Sequence, residues 1–179
     1  MITAEKTVTT EKAFDHAHPL RVCFVCTGNT CRSPMAAAVL NHKTRIIEGS
    51  AACDINKLLS AKHIRATSAG LFGAGDPIAR NAVAALEAAG IPSAPDNDYK
   101  NHVSRPINPE MMETADLVVG LTESHAMQLM GWFPSCASKI TCMPHAIPDP
   151  VGGDEEDYAA CLAAITEGIK ELFLTEDNR

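Results

Sequence analysis

The chain has 179 residues, which suits one domain, or one domain with a tail, rather than a two-domain enzyme. Apolar residues make up 46%, charged residues 21% and aromatics 4%, which sets aside wholesale disorder and predicts a core of Ala, Val, Leu, Ile and Met. With 15 Lys and Arg against 22 Asp and Glu the net charge is −7, so no basic field exists to collect phosphate contacts, and nucleic acid is not expected as a partner.

Residues 1–18 lack the apolar core of a signal peptide, and no later stretch is long enough to span a bilayer, so a cytoplasmic protein without a membrane partner is expected. The same residues mix Thr, Glu and Lys without an apolar period up to His18-Pro19, which predicts a flexible N-terminal arm ahead of a domain over 19–175. Leu20–Val25 is a nearly continuous apolar run ending in Thr-Gly-Asn, as a buried parallel strand would. Ser33-Pro34 then opens a helix with Ser33 as N-cap, and Met35, Ala36, Val39 and Leu40 recur at helical spacing. Residues 45–63 are compatible with a loop or a short extra helix. A second strand is expected at Ile64–Ser68. Asp76-Pro77 repeats the cap-then-proline signature and predicts a helix through Ile78, Ala82, Val83 and Leu86 to a stop at Gly90. Asn108-Pro109 starts a short helix, Leu117–Leu121 reads as a buried strand, and Thr122 caps a helix carrying Ala126, Met127 and Met130. Lys139–Met143 is the fourth strand, and Tyr158, Cys161, Leu162, Ile165, Ile169, Leu172 and Phe173 trace the stripe of a terminal helix.

Strands alternating with helices predict a single α/β domain of three layers, a four-stranded parallel sheet flanked by helices. Ligands of such sheets bind beyond the carboxyl ends of the strands, so chemistry is expected in the segment leaving the first strand. That segment is Cys26-Thr27-Gly28-Asn29-Thr30-Cys31-Arg32-Ser33. Successive N–H groups of a Gly- and Asn-containing loop can converge on one oxyanion, and the helix dipole adds to them. The C-x5-R spacing of Cys26 and Arg32 lets the loop curl until sulfur and guanidinium face one bound group. A helix N-terminus and a cation favour the anionic sulfur, which makes Cys26 the expected nucleophile. Arg32 offers a planar fork to two phosphoryl oxygens, and the Ser33 hydroxyl can donate to the sulfur or cap the helix. Alone, C-x5-R recurs by chance, with Cys26 a buried structural thiol and Arg32 a surface charge; here strand, turn, helix start and crevice coincide.

The seven cysteines (Cys23, Cys26, Cys31, Cys53, Cys136, Cys142, Cys161) are odd in number and scattered through apolar segments, as reduced thiols would be. Cys23-Phe24-Val25-Cys26 is formally C-x-x-C, but the pair sits in a strand-like run whose side chains three apart point to opposite faces, so no metal is expected.

The run from Val25 to Ala36 resembles the signature of the low-molecular-weight protein-tyrosine phosphatase family, C-x-G-N-x-C-R-S-P. The likeness continues through Ser68-Ala69-Gly70, His102, the strand ending near Leu121 and Asp149-Pro150, over residues 20–174. It implies a flavodoxin-like fold with a phosphate-binding loop (Thr27, Gly28, Asn29, Thr30, Cys31, Ser33) after the first strand, and a cysteine-dependent protein phosphatase that needs neither metal nor cofactor. Its partners would be phosphorylated proteins. The resemblance makes Asp149 the general acid, and expulsion of a poor leaving group from a cysteinyl-phosphate independently asks for such a group; on sequence alone Asp149 reads equally as a turn residue. Asn29, Ser33, Ser68 and His102 match the family's supporting network, with Asn29 suited to left-handed backbone.

Thr30 resembles the branch acting on phosphoarginine, where tyrosine-specific members usually have Ile. Asp149-Pro150-Val151-Gly152-Gly153 lacks the paired aromatics of that tyrosine-specific branch, while Phe72, after Ser68-Ala69-Gly70, can still stack on an aromatic substrate. Tyrosine phosphatase is therefore the alternative reading. Arsenate reductase shares the loop but relays oxidation to a cysteine pair that 90–104 lacks. A non-catalytic phosphate-binding redox sensor is the other alternative, since Cys31 is placed to trap an oxidised Cys26 as a disulfide.

Overall fold

Strand β1 (Leu20–Cys26) is buried from Val22 to Cys26, as its unbroken apolar run requires. It pairs in parallel with β2 (Ile64–Gly70) on one side, Leu20 opposite Ile64 and Cys26 opposite Gly70, and with β3 (Leu117–Gly120) on the other. Strand β4 (Ile140–Cys142) adds to β3, so the sheet order is β2-β1-β3-β4 and every pairing is parallel. The structure, a computed structural model, describes residues 19–48 and 64–174. The expected arm over 1–18, Cys53 and most of the uncommitted stretch 45–63 lie outside the described residues.

The period-two alternation of β1 sorts its side chains into two cores. Val22, Phe24 and Cys26 face α1 (Arg32–Glu48), α2 (Arg80–Ala88) and α5 (Glu155–Leu174), packing with Met35, Leu40, Leu86 and Ile165. Cys23 and Val25 face α3 (Pro109–Thr114) and α4 (Glu123–Trp132), packing with Met112, Val118 and Leu129. The result is the expected three-layer α/β domain. Cys23 and Cys26 do lie on opposite faces, which removes the C-x-x-C pair as a chelate.

Two helix starts differ from expectation. Ser33 lies inside the first turn of α1 rather than ahead of it, and its hydroxyl donates to Ala69 O (3.2 Å) instead of capping. The helix expected from Asp76-Pro77 begins only at Arg80 with Ala79 as N-cap, because the preceding residues are held extended: Pro77 bridges Val103, and Ser104 N donates to Asp76 O (2.8 Å). Strand β2 runs two residues beyond Ser68, since its pairing with β1 continues to Gly70. The other two capped starts form as read: Asn108 accepts from Met111 N (2.9 Å) and Thr122 from His125 N (3.4 Å).

Candidate active site

The segment between β1 and α1 folds over the carboxyl edge of the sheet. The chain leaving β2 clasps it, with Leu71 N donating to Cys26 O (2.8 Å) and Phe72 N to Thr27 O (2.9 Å). Gly70 permits this approach: a Cβ there would stand 2.9 Å from Thr27 O and 3.0 Å from Asn29 Cβ.

Asn29 is fully buried with φ 59, the left-handed conformation expected of it. Its Nδ2 donates to Ser33 Oγ and Ser68 Oγ (both 2.9 Å), and its Oδ1 accepts from Arg105 N (3.0 Å). Its own N–H donates to Cys26 Sγ (3.3 Å), and its carbonyl accepts from His102 Nε2 (2.8 Å). That last bond needs a proton on Nε2. Burial pushes His102 below the ordinary imidazole value, the Asn29 carbonyl opposes the shift and Arg105 adds to it. All four residues read as a supporting network are thus joined in one set of contacts.

Ser33 Oγ lies 3.0 Å from Cys26 Sγ. The hydroxyl has a single proton, and Asn29 Nδ2 already fills one lone pair. With Cys26 a thiol, S–H can donate to Ser33 while O–H goes to Ala69 O; with Cys26 a thiolate, the same O–H can swing to the sulfur. Cys31, also buried, has its Sγ 3.3 Å from the Tyr158 phenol and 3.6 Å from Thr30 Oγ1. Burial and the contact with Cys31 hold the Tyr158 phenol well above its usual range. Burial disfavours the anionic form of two other thiols: Cys23 is pushed up to about 11 and Cys161 to about 12.

Arg32 is 7% exposed. Its Nη1 donates to Ile147 O (3.5 Å), and its Nη2 forms an ion pair with Asp149 Oδ2 at 2.5 Å. Asp149 is half exposed and its Oδ1 accepts from Val151 N (3.3 Å), which sets the turn after β4. Residues 117 positions apart thereby bring a carboxyl to the guanidinium beside the loop.

Three residues that sequence reading did not assign also belong here. Arg105 acts through its main chain on Asn29. Tyr158 falls in the apolar stripe of the terminal helix, though a buried phenol needs a polar partner, here Cys31. His125 is buried in the first turn of α4, its Nε2 3.0 Å from Thr27 Oγ1 and its Nδ1 2.8 Å from Thr122 Oγ1. Burial lowers its affinity for a proton, Arg32 lowers it further, and Asp149 opposes. Among the described residues no three His, Cys, Asp or Glu side chains are grouped to hold a metal ion, and no helix is long and apolar enough to cross a membrane.

The chain matches the family described as low molecular weight phosphotyrosine protein phosphatase over residues 21–178. It is 32% identical to a protein-arginine-phosphatase of Geobacillus stearothermophilus, over 88% of this chain and 99% of that one. Its fold superposes on a low molecular weight protein tyrosine phosphatase from T. tengcongensis with a TM-score of 0.72 at 32% identity, covering 86% and 97% of the two chains. A structure of the arginine phosphatase YwlE, in which a mutant active-site serine is phosphorylated, matches with a TM-score of 0.69 at 30% identity, covering 89% and 98%.

Proposed function

The chain belongs to the low molecular weight phosphotyrosine protein phosphatase family, and we propose that it hydrolyses phosphoarginine in proteins with Cys26 as nucleophile, Arg32 as oxyanion clamp and Asp149 as general acid. The supporting observation is that the loop opened by Cys26 closes on Arg32, whose guanidinium pairs with Asp149, while the sulfur accepts from Asn29 N and contacts Ser33 Oγ.

The Cys26 sulfur attacks phosphorus and the P–N bond to arginine breaks, with both electrons going to nitrogen. Asp149 supplies the proton that lets nitrogen leave. The phosphoryl oxygens lie against the N–H groups of Thr27 to Ser33 and against Arg32, which replaces Asp149 with them on its fork. In the second step the Asp149 carboxylate takes a proton from water, hydroxide attacks phosphorus, the S–P bond breaks and inorganic phosphate leaves. Thiolate, guanidinium and carboxyl between them supply nucleophile, charge stabilisation and proton, so the reaction asks for no metal or cofactor. The substrates are phosphorylated proteins; the acidic net charge argues against nucleic acid, and a cytoplasmic site without membrane attachment fits the composition.

Thr30 carries the choice of phosphoarginine. Its hydroxyl, half-buried in the loop, can meet a guanidinium where an Ile methyl group cannot, and the residue after Asp149-Pro150 is the exposed aliphatic Val151 rather than an aromatic wall. One observation favours phosphotyrosine: Phe72 is 60% exposed and stands edge-to-face with Trp132, ring centroids 5.7 Å apart. The deciding measurement is kcat/KM for matched phosphoarginine and phosphotyrosine peptides with wild type, Thr30→Ile and an inactive Cys26→Ser control. Phosphoarginine preference that collapses in Thr30→Ile is expected; preference for phosphotyrosine in the wild type would overturn the assignment and move attention to Phe72.

Cys31 is the resolving thiol in this reading: peroxide oxidises Cys26 to the sulfenic acid, the Cys31 sulfur displaces water, and a disulfide forms that thiols reduce. Peroxide should abolish turnover and dithiothreitol restore it; recovery that is equally complete in Cys31→Ser would remove Cys31 from this role.

A further inference from the structure

The loop has supports on two sides, and only one of them comes from the Asn29 network. We propose that His125 is a positioning residue of the phosphatase reaction, holding the Thr27 end of the loop against the start of α4 so that the neighbouring Cys26 sulfur stays aimed at phosphorus. The inference rests on Cys26 being the nucleophile.

The geometry supporting it is specific. Both ring nitrogens of His125 are engaged, Nε2 with Thr27 Oγ1 at 3.0 Å and Nδ1 with Thr122 Oγ1 at 2.8 Å. The chain of contacts continues from Thr122 Oγ1 to Ser124 Oγ (2.8 Å). A ring bonded at both nitrogens and 5% exposed cannot turn without losing both partners. Thr122 is in turn the N-cap of α4, so the imidazole ties the first turn of a helix to the residue that follows the nucleophile. Gly120 at the end of β3 makes the approach possible: a Cβ there would stand 2.7 Å from Ala126 N and 3.1 Å from His125 Cβ.

The opposite face of Thr27 is also fixed, because its carbonyl accepts from Phe72 N (2.9 Å). The Cys26-Thr27 peptide is therefore held through its main chain by the segment after β2 and through its side chain by α4. Asn29 touches the sulfur through its own N–H from three residues along the loop, whereas Thr27 is covalently next to Cys26, so losing His125 releases the peptide joined to the nucleophile. Displacement of about 1 Å at a reacting centre costs up to about 10²-fold in rate. A neutral imidazole donates at one nitrogen and accepts at the other, which two hydroxyls can satisfy in either tautomer. Burial and the nearby Arg32 favour that neutral form, and Asp149 is the one charged group among the named neighbours that opposes it.

The test compares His125→Ala, His125→Gln, Thr27→Val and the double variant His125→Ala with Thr27→Val, using para-nitrophenyl phosphate and counting active sites by the p-nitrophenol burst. Expected is a fall in kcat per active site of about tenfold or more in His125→Ala, with KM within about threefold of wild type. His125→Gln, whose amide can still reach Thr27, should recover most of the loss. Thr27→Val should match His125→Ala, and the double variant should be no worse than either, as members of one contact behave. A kcat within twofold of wild type in His125→Ala, or losses that multiply in the double variant, would overturn the role. If His125→Ala does not fold, Thr27→Val removes the same contact from its exposed end and decides alone. Cys26→Ser run alongside separates the two levels: wild-type turnover there brings down the nucleophile assignment, whereas an inactive Cys26→Ser beside a fully active His125→Ala brings down only the positioning role.

Discussion

The Arg32 to Asp149 ion pair poses a competition at the scale of single side chains. The fork assigned to two phosphoryl oxygens is already bonded to the carboxyl assigned to the leaving group, at 2.5 Å. A bound phosphoryl group resolves the competition by displacing the carboxylate from the guanidinium, and the freed group takes up a proton from water and carries it outward to the leaving nitrogen. Because Asp149 is 47% exposed, solvent screens the pair although Arg32 is buried, and the pair is worth on the order of 1 kcal/mol. Asp149→Asn should therefore have two opposed effects. Inorganic phosphate, measured by calorimetry, should bind about two- to fivefold more tightly once the competing charge is gone. Turnover of a phosphoarginine peptide should fall by about 10²–10⁴, the usual contribution of a positioned proton donor. Weaker phosphate binding in Asp149→Asn would show that the carboxylate does not compete for Arg32, and a kcat near wild type would remove it as the acid.

Among the elements, a capping residue read from the sequence starts its helix at Asn108 and Thr122 and misses at Ser33 and Asp76, and the miss at Asp76 is instructive. Asn108-Pro109 started its helix where read and Thr122 capped its own, because each cap bond is local: Asn108 to Met111 N, Thr122 to His125 N. Asp76-Pro77 has the same local chemistry, yet Ala74, Gly75 and Asp76 donate their N–H groups to Ser104 Oγ at 2.9–3.3 Å, and Ile78 N donates to His102 O. Those contacts hold 74–78 against 102–104, with Pro77 bridging Val103, and delay α2 to Arg80. They also fix the segment from which His102 reaches Asn29 O, so a helix turn was given up where it braces the loop. The buried strands were legible from apolar runs, and the loop from its motif. His125 and Arg105 were not, because their partners Thr27 and Asn29 lie 98 and 76 positions away and no periodicity links them. The one cue was a histidine three residues after a cap, a place from which its ring can fold back on Thr122.

Taken as a whole molecule, the domain holds a half-buried and a buried histidine on either side of its loop, and folding stability should record them. Burial pushes both His102 and His125 below the ordinary value near 6.5. A histidine with a depressed value in the folded state binds fewer protons there than in the unfolded chain, so stability rises with pH across the interval and is lost as pH falls. The loss begins near the unfolded value of about 6.5 and continues down to the lower folded values. This window lies above that of the carboxylates, whose ordinary values near 4 place their contribution lower. Thermal unfolding compared at pH 7.5 and 5.5 should show a lower Tm in acid, each kcal/mol appearing as about 2–4 °C in a chain of this size. The variant His102→Asn with His125→Asn should start from a lower Tm, having lost bonds to Asn29 and Thr27, but should show a smaller drop between the two pH values. An undiminished drop would place the acid sensitivity in other groups. Because a neutral His125 accepts at one ring nitrogen and donates at the other, its protonation removes an acceptor from the contact that anchors the loop at Thr27, so turnover at pH 5.5 should decline on heating before the bulk of the sheet unfolds. Coincident loss of activity and of far-ultraviolet circular dichroism would show instead that the loop and the sheet melt as one unit.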